Sequence, residues 1–116
     1  MASESAGGKA FMTDRYYRVV SLWVYPGQEA AFEAFEQEAA QIMARHGGRI
    51  DQAVRLAQLE DRQAGEAPFE VHVVSFPSGA AFEAYGADSE TVTLRSRRDR
   101  IISCTVAVEG RPAGPY

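Results

Sequence analysis

The first part of the chain changes from a β-forming run of residues to a pattern in which apolar residues recur at helical spacing. This change predicts a strand followed by a helix. Tyr16 to Val24 is rich in β-branched and aromatic residues, which is typical of a strand, and Pro26-Gly27 ends it. From Glu29 to His46 apolar side chains recur at the spacing of an amphipathic helix, with Glu33, Glu36 and Gln37 predicted on its solvent side. Gly47-Gly48 is expected to end this helix in a left-handed turn.

The same unit occurs a second time. The hexapeptide Ala30-Ala31-Phe32-Glu33-Ala34-Phe35 returns as Ala80-Ala81-Phe82-Glu83-Ala84-Tyr85, and each copy follows a β-forming run that ends in an aromatic residue and a proline. Such internal self-similarity constrains a fold more than single-residue propensities do. Further strands are predicted at 49–59, 69–76 and 101–108, with a polar hairpin segment at 60–68. Ser78 is expected to cap the second helix, and Gly86-Ala87-Asp88 to interrupt it.

The resulting element order, β-α-β-β-α-β, predicts an α+β fold of the ferredoxin-like sandwich type. We expect an antiparallel four-stranded sheet with two helices on one face, in which the first and third strands lie side by side and parallel. The predicted domain covers residues 16–109. Residues 1–15 are interpreted as a flexible N-terminal arm and residues 110–116 as a C-terminal tail.

Strand periodicity gives a prediction for the sheet face that has no helices. Aligning the two aromatic–proline junctions places Tyr17, Trp23 and Tyr25 on the same face as Glu70 and His72, because side chains alternate along a strand. The all-aliphatic alternative set, Val20, Leu22, Val24, Val71 and Val73, is then assigned to the helix side. An open face this apolar predicts a homodimer that pairs sheet to sheet.

Glu70 and His72 form the one predicted acid–base pair, since residues two apart on a strand point the same way and a carboxylate can orient an imidazole. The alternative is a histidine satisfied by packing at a dimer interface. Metal binding by this pair would require another ligand from a partner subunit, and neither a metal nor a cofactor is predicted. The predicted substrate-binding residues are Tyr17, Trp23, Tyr25, Tyr85 and Arg95.

Composition narrows the classes of partner. The net charge of −4 argues against nucleic acid, which requires a basic footprint. One basic cluster, Arg95, Arg97, Arg98 and Arg100, is either a solvated helix end or an anion clamp. The single cysteine, Cys104, is predicted to be a small buried residue on the last strand. No apolar run is long enough to cross a bilayer, so a cytoplasmic protein with no membrane partner is expected.

Short motifs resemble those of the dimeric α/β-barrel superfamily, and within it a family of small bacterial domains of unknown function. They are Gly47-Gly48-Arg49 after the first helix, Phe76-Pro77-Ser78 at the end of the third strand, and Ala81-Phe82 with Tyr85 in the second helix. The resemblance covers about residues 16–110 and implies a ferredoxin-like protomer that pairs through its sheet. It extends distantly to antibiotic-biosynthesis monooxygenases.

Haem-degrading enzymes also belong to that superfamily and use an asparagine with a tryptophan and a histidine. This chain has Trp23 and His72 but no asparagine, which argues against haem degradation.

The sequence supports two functional hypotheses. The first is a cofactor-independent enzyme that acts by acid–base chemistry on a small aromatic or enolisable metabolite. The second is a non-catalytic dimer that binds a small molecule or has a structural role.

Overall fold

The computed structural model describes residues 15–57 and 67–116, which form one antiparallel sheet covered by helices. The elements in chain order are β1 (Tyr16–Val24), α1 (Glu29–Arg45), β2 (Arg49–Arg55), β3 (Glu70–Phe76), α2 (Gly79–Ala87), α3 (Ser89–Arg95), a 3-10 turn (Arg98–Arg100) and β4 (Ile102–Gly110). Residues 1–14 of the predicted arm and most of the predicted hairpin segment lie outside the described residues. No helix in the described ranges is long and apolar enough to span a bilayer.

The sheet has the strand order β2-β3-β1-β4, and every neighbouring pair is antiparallel. The ferredoxin-like prediction is therefore confirmed. β1 and β3 are neighbours as expected, but the expectation that they are parallel was wrong. Because α1 returns the chain so that β2 runs in the direction of β1, the reversal between β2 and β3 makes β3 antiparallel to both.

Side-chain caps explain why the second helical region is divided into α2 and α3. The Ser78 hydroxyl accepts a hydrogen bond from the backbone N–H of Ala81 at 3.1 Å, and the Asp88 carboxylate accepts one from that of Glu90 at 2.9 Å. These side chains satisfy N–H groups that have no partner in a first helical turn. The predicted cap and the predicted interruption are both confirmed, and Asp88 marks the start of α3.

The helices cover the sheet face that carries Leu22, Val74 and Phe76. The larger buried cluster joins Leu22 to Phe32 and Phe35 of α1, to Leu94 of α3 and to the start of β4. A second cluster joins Met43 of α1 to Val74 and Phe76 of β3, with α2 packed against it. The core is thus a single layer between sheet and helices.

The predicted face of β3 was wrong. His72 pairs with Val20 and Glu70 with Leu22, and directly paired residues share a side of the sheet. Glu70 and His72 are therefore beneath the helices, 7% and 3% exposed respectively. They do not share the open face with Trp23.

The error comes from the connection between strand and helix, which has one residue more in the first unit than in the second. Three residues, 27–29, separate Pro26 from the first hexapeptide, whereas two, 78–79, separate Pro77 from the second. Aligning the prolines thus shifted one strand by a residue, and such a shift inverts the face of every side chain.

The open face consists mainly of valines. The strand registers place two rows across it, Gln52–Val73–Val19–Val108 and Val54–Val71–Ser21–Val106, with Trp23 and Cys104 beside them. Cys104 is exposed, so the prediction that it is buried was wrong. Val71 and Val73, predicted under the helices, belong to this face.

The turn after α1 requires glycine for two reasons. Gly47 has a φ of +74°, and its N–H and that of Gly48 bond to the carbonyls of Ala44 and Met43, which is the typical left-handed helix end. A Cβ on Gly48 would lie only 2.3 Å from Cε2 of Phe76. The turn therefore brings the α1 backbone against the buried end of β3.

Gly48→Ala is expected to destabilise the fold by about 1–3 kcal/mol, because the added Cβ would overlap the buried Phe76 ring and force it out of its packed position. Urea unfolding measures this change. Gly110→Ala is the control, since no atom lies within 4 Å of a Cβ at that position. Equal stability of the two variants would show that the contact of Gly48 with Phe76 is unimportant.

Candidate functional site

A cavity of about 220 Å³ lies between the sheet and the helices. Its walls are mostly apolar and include the rings of Phe35, Phe76 and Phe82. The charged and polar residues that line it come from every layer of the fold: Arg18 and His72 from the sheet, Glu36 from α1, Tyr85 from α2, and Thr91, Arg95 and Arg98 from α3 and the following turn. Concave, largely apolar sites with a few convergent polar groups are typical of small-molecule binding.

The His72 imidazole is held by a carboxylate on the side away from this cavity. Its Nε2 lies 2.5 Å from Oε2 of Glu70, whereas Nδ1 lies 3.8 Å from Oε1 of Glu36. Glu70 does not line the cavity, but Glu36 and His72 do. Since an ionised carboxylate can only accept, the N–H group of Nε2 donates a hydrogen bond to Glu70, and in the neutral ring Nδ1 is then the acceptor. A separation of 3.8 Å is too long for a hydrogen bond, so Nδ1 is uncommitted as far as the described residues are concerned.

Arg55 completes the support behind His72. Its Nε donates to Oε1 of Glu70 at 2.9 Å, and its Nη1 donates to Glu33 at 3.1 Å. Burial raises the pKa of Glu70, but the hydrogen bonds from His72 and Arg55 outweigh burial and hold the pKa below its usual value. Glu70 is thus the anionic member of the row Arg55–Glu70–His72.

Glu36 has the opposite electrostatic balance. Burial raises its pKa, the nearby His72 lowers it, Glu70 raises it again and Arg98 lowers it, and the net effect is a pKa above the usual value. Tyr85 behaves similarly: burial and Glu36 raise the pKa of its phenol against the opposing effect of Arg95 and Arg98. The cavity therefore holds a phenol that keeps its proton and a carboxyl group that ionises less readily than usual.

The other predicted site residues divide between the two faces of the sheet. His72, Tyr85 and Arg95 line the cavity, and Glu70 lies directly behind His72. Tyr17 and Trp23 are on the opposite, open face and are not in the cavity lining. Tyr25 follows the end of β1, is 44% exposed, and is also not part of the lining.

The sequence pattern did not predict Arg18, Glu36 or Thr91 as site residues, nor the cavity position of Arg98. Glu36 was predicted to face solvent, which was wrong, because it follows Phe32 by four residues and so lies on the buried stripe of α1. Thr91, Arg95 and Arg98 recur at the spacing of one helix face, which was the available signal for α3.

Arg97 has a separate role from its neighbours in the basic cluster, since its Nη2 donates to Glu38 of α1 at 2.7 Å.

Among the described residues, no group of three or more His, Cys, Asp or Glu side chains could hold a metal ion.

Several solved structures share this fold at low sequence identity. A protein of unknown function from Rhodopseudomonas palustris is 16% identical with a TM-score of 0.73, and the match covers 99% of this chain and 95% of that one. A Bacteroides thetaiotaomicron protein named as an antibiotic biosynthesis monooxygenase is 15% identical with a TM-score of 0.66, over 88% of this chain and 92% of that one. A NIPSNAP-family protein of unknown function from Agrobacterium tumefaciens is 17% identical with a TM-score of 0.65, over 90% and 93%.

No protein-family model matches the sequence, and no curated protein matches it significantly. The structural likeness agrees with the resemblance seen in the sequence to ferredoxin-like proteins and, distantly, to antibiotic-biosynthesis monooxygenases. At these identities the likeness establishes the fold. A catalytic or non-catalytic role is not determined by it.

The opposed pKa shifts of Glu36 and Glu70 predict opposite effects on stability. A raised pKa in the folded state means that Glu36 opposes folding once the pH exceeds about 4.3, the ordinary pKa of glutamate. A lowered pKa means that Glu70 stabilises the fold above that pH, and that this stabilisation is lost as the pH falls through its folded pKa. At neutral pH we therefore expect Glu36→Gln to raise the free energy of unfolding and Glu70→Gln to lower it.

Urea unfolding at a series of pH values measures both differences, which should shrink in acid where each carboxyl group is protonated. Two variants that shift stability in the same direction at neutral pH would contradict this electrostatic account.

Proposed function

We propose that the chain is a small-molecule enzyme that removes a proton from an aromatic or enolisable substrate in the cavity, with His72 as the base. The observation that carries this proposal is the position of His72: its Nε2 is bound by Glu70, and its uncommitted Nδ1 is near the cavity carboxyl of Glu36. A base oriented in this way by a second group is a recurrent arrangement in acid–base catalysis.

The proposed proton transfer uses only side chains of this protein and the substrate itself. Nδ1 of His72 accepts a proton from a C–H or O–H bond of the substrate, and the electron pair of that bond moves into the substrate to generate an enolate or phenolate oxygen. The Tyr85 phenol, whose pKa is raised by burial, keeps its proton and donates a hydrogen bond to that oxygen. The imidazolium is stabilised by the ionised Glu70 behind it. No cofactor takes part in this step.

Glu70 is a positioning residue in this account, because it does not line the cavity. Its hydrogen bond selects the tautomer of His72 that leaves Nδ1 as the acceptor. Arg55 in turn holds Glu70 in its ionised form.

A binding protein without catalysis is the second hypothesis, and the guanidinium groups of the cavity lining are the observation that favours it. It differs from the first in requiring no proton transfer to His72. The same variant therefore distinguishes the two.

His72→Gln is expected to lower the rate of proton abstraction by at least about 100-fold, because a positioned general base contributes about 10²–10⁴ to a rate. Glutamine can still donate to Glu70, so the fold is retained. Exchange of the α-protons of small aromatic ketones and 2-oxo acids for solvent deuterium, followed by NMR, measures the step directly.

His46→Gln is the matched control, since His46 also bonds to a carboxylate, that of Asp88 at 2.8 Å, but does not line the cavity. Its exchange rate should stay within about twofold of the wild-type rate. Equal exchange by the wild type and His72→Gln would reject His72 as the base and favour the binding protein.

We also propose that two copies pair through the open sheet face. Four exposed valines support this: Val19, Val54, Val106 and Val108, which are 36–56% exposed and all lie on that face. The two rows at its centre contain no charged residue, so a second copy meets it without repulsion between like charges. Burying these side chains against the same face of a partner would remove a large apolar patch from water.

Val106→Asp is expected to convert a dimer into a folded monomer, because it places a charge in the middle of the proposed interface. Light scattering should give twice the mass of one chain for the wild type and the mass of one chain for the variant. Val92→Asp is the control, since Val92 is 52% exposed on α3, away from the sheet. A monomeric wild type, or a Val106→Asp variant that stays dimeric, would reject this interface.

A further inference from the structure

We infer that the cavity selects a small carboxylate whose carbon skeleton is about the size of one aromatic ring, and that Arg95 and Arg98 hold the carboxylate group. This inference names the substrate class and rests on the function proposed above for the same cavity. Its test is a binding measurement, which does not depend on catalysis.

The first observation is that the arginines of the cavity lining have no carboxylate partners among the described residues. Arg18 donates to the hydroxyl of Tyr16, Arg95 to the carbonyl of Gly86, and Arg98 to the hydroxyl of Thr105. All three acceptors are neutral oxygens. A guanidinium group has five N–H donors, so each of these side chains retains donors for an anion.

Arg15, outside this cavity, also bonds to neutral oxygens, those of Ser75 and Gly47, but four other arginines outside the cavity behave differently. Arg45, Arg49, Arg55 and Arg97 each form an ion pair with an aspartate or glutamate. The contrast is clearest for Arg97 and Arg98, which are adjacent in sequence: the first forms an ion pair with Glu38 outside the cavity, whereas the second lines the cavity and forms no ion pair within the described part of the chain. Three guanidinium groups therefore line the cavity together with a single carboxyl group, that of Glu36, which leaves an excess of positive charge there.

The second observation is a buried hydroxyl without a hydrogen-bond partner, in a residue that lines the same cavity as these arginines. Thr91 lines the cavity and is 4% exposed, and its Oγ1 has no hydrogen-bond partner in the described part of the chain. Thr91 and Arg95 are one helical turn apart on α3, so their side chains share a face. A buried hydroxyl without a partner is unfavourable, and a ligand oxygen next to the guanidinium groups would satisfy it.

The apolar walls of the cavity favour an organic carboxylate over an inorganic anion. Arg95 and Arg98 border a space walled by Phe35, Phe82 and aliphatic side chains, and apolar walls favour an anion that carries an apolar body. The volume of about 220 Å³ exceeds the roughly 150 Å³ of an apolar cavity that holds one benzene molecule, which leaves room for one ring with a small substituent. Arginine forks bind planar carboxylates through paired hydrogen bonds.

Calorimetric titration with benzoate, benzamide and inorganic phosphate tests the inference on the full chain. Benzoate is expected to bind at least about tenfold more tightly than benzamide, its neutral counterpart, and more tightly than phosphate. Absence of benzoate binding, equal affinity for benzamide, or tighter binding of phosphate would each overturn the inference.

Arg95→Gln and Arg98→Gln are each expected to weaken benzoate binding by roughly 10- to 100-fold, as for the loss of hydrogen bonds to a charged group. Arg97→Gln is the matched control and should stay within about twofold. The Arg95 variant keeps the test valid if loss of the Arg98–Thr105 contact disturbs the fold. Unchanged affinity in a folded Arg95→Gln variant would overturn the assignment.

Thr91→Val gives a signature that a purely structural role would not produce. The free variant should unfold at a higher urea concentration than the wild type, because a buried unpaired hydroxyl is removed. Salicylate carries a hydroxyl beside its carboxylate, and its affinity for the variant should fall by about two- to tenfold. A variant that is less stable and binds salicylate as well as the wild type does would contradict the proposed role of Thr91.

His72→Gln separates this inference from the proposed function. It should bind benzoate within about threefold of the wild type, because His72 is the proposed base and makes no hydrogen bond to the carboxylate. If deuterium exchange is unaffected by His72→Gln while benzoate binding depends on Arg95 and Arg98, the proposed catalysis fails and the carboxylate site stands. If benzoate binding fails but exchange depends on His72, the reverse holds.

Discussion

The hydrogen bond between Glu70 and His72 is the interaction around which the site is organised. Both side chains lie beneath the helices, where polar groups are costly unless each finds a partner. Arg55 supplies the second partner of Glu70 from β2, and the aromatic ring of Phe32 from α1 lies 6.3 Å from the imidazole ring. The position of His72 therefore depends on β2, β3 and α1 together, and its free nitrogen is left near the cavity.

Two copies of one strand–helix unit have acquired different roles in this arrangement. The first hexapeptide places Phe32 and Phe35 in the main core, where Phe35 also borders the cavity, whereas the second places Phe82 and Tyr85 along the cavity. The shorter helix α2 is followed by Asp88, which caps α3 and also bonds to His46 at the end of α1. This contact ties α3, with its cavity-lining face, to the long helix α1.

The elements of the fold could be predicted from the sequence because each depends on local periodicity. Strand β1, helix α1 and the interruption at Asp88 lie where the pattern places them. The face of β3 could not be obtained from the aromatic–proline junctions, since one additional residue in the first connection inverts it. Aligning the hexapeptides instead sets His72 against Leu22, a buried residue, and gives the observed face.

Only part of the candidate site could be predicted from the sequence. Residue type and spacing identified His72, Glu70, Tyr85 and Arg95. Tyr17 and Trp23 were grouped with them because the face of β3 was predicted the wrong way round. Arg18 could not be predicted as a cavity residue, because the cavity is formed by packing between distant segments. Whether an arginine has an acidic partner is likewise a property of the three-dimensional structure, as Arg97 and Arg98 demonstrate.

The tautomer of His72 tests the central claim most directly. Two-dimensional NMR of the imidazole nitrogens, recorded over a series of pH values, reports which nitrogen carries the proton when the ring holds one proton. The account predicts a proton on Nε2, an unprotonated Nδ1, and loss of this preference in Glu70→Gln. A proton on Nδ1 of the wild-type protein would contradict it, because that nitrogen could not then act as the base in the cavity.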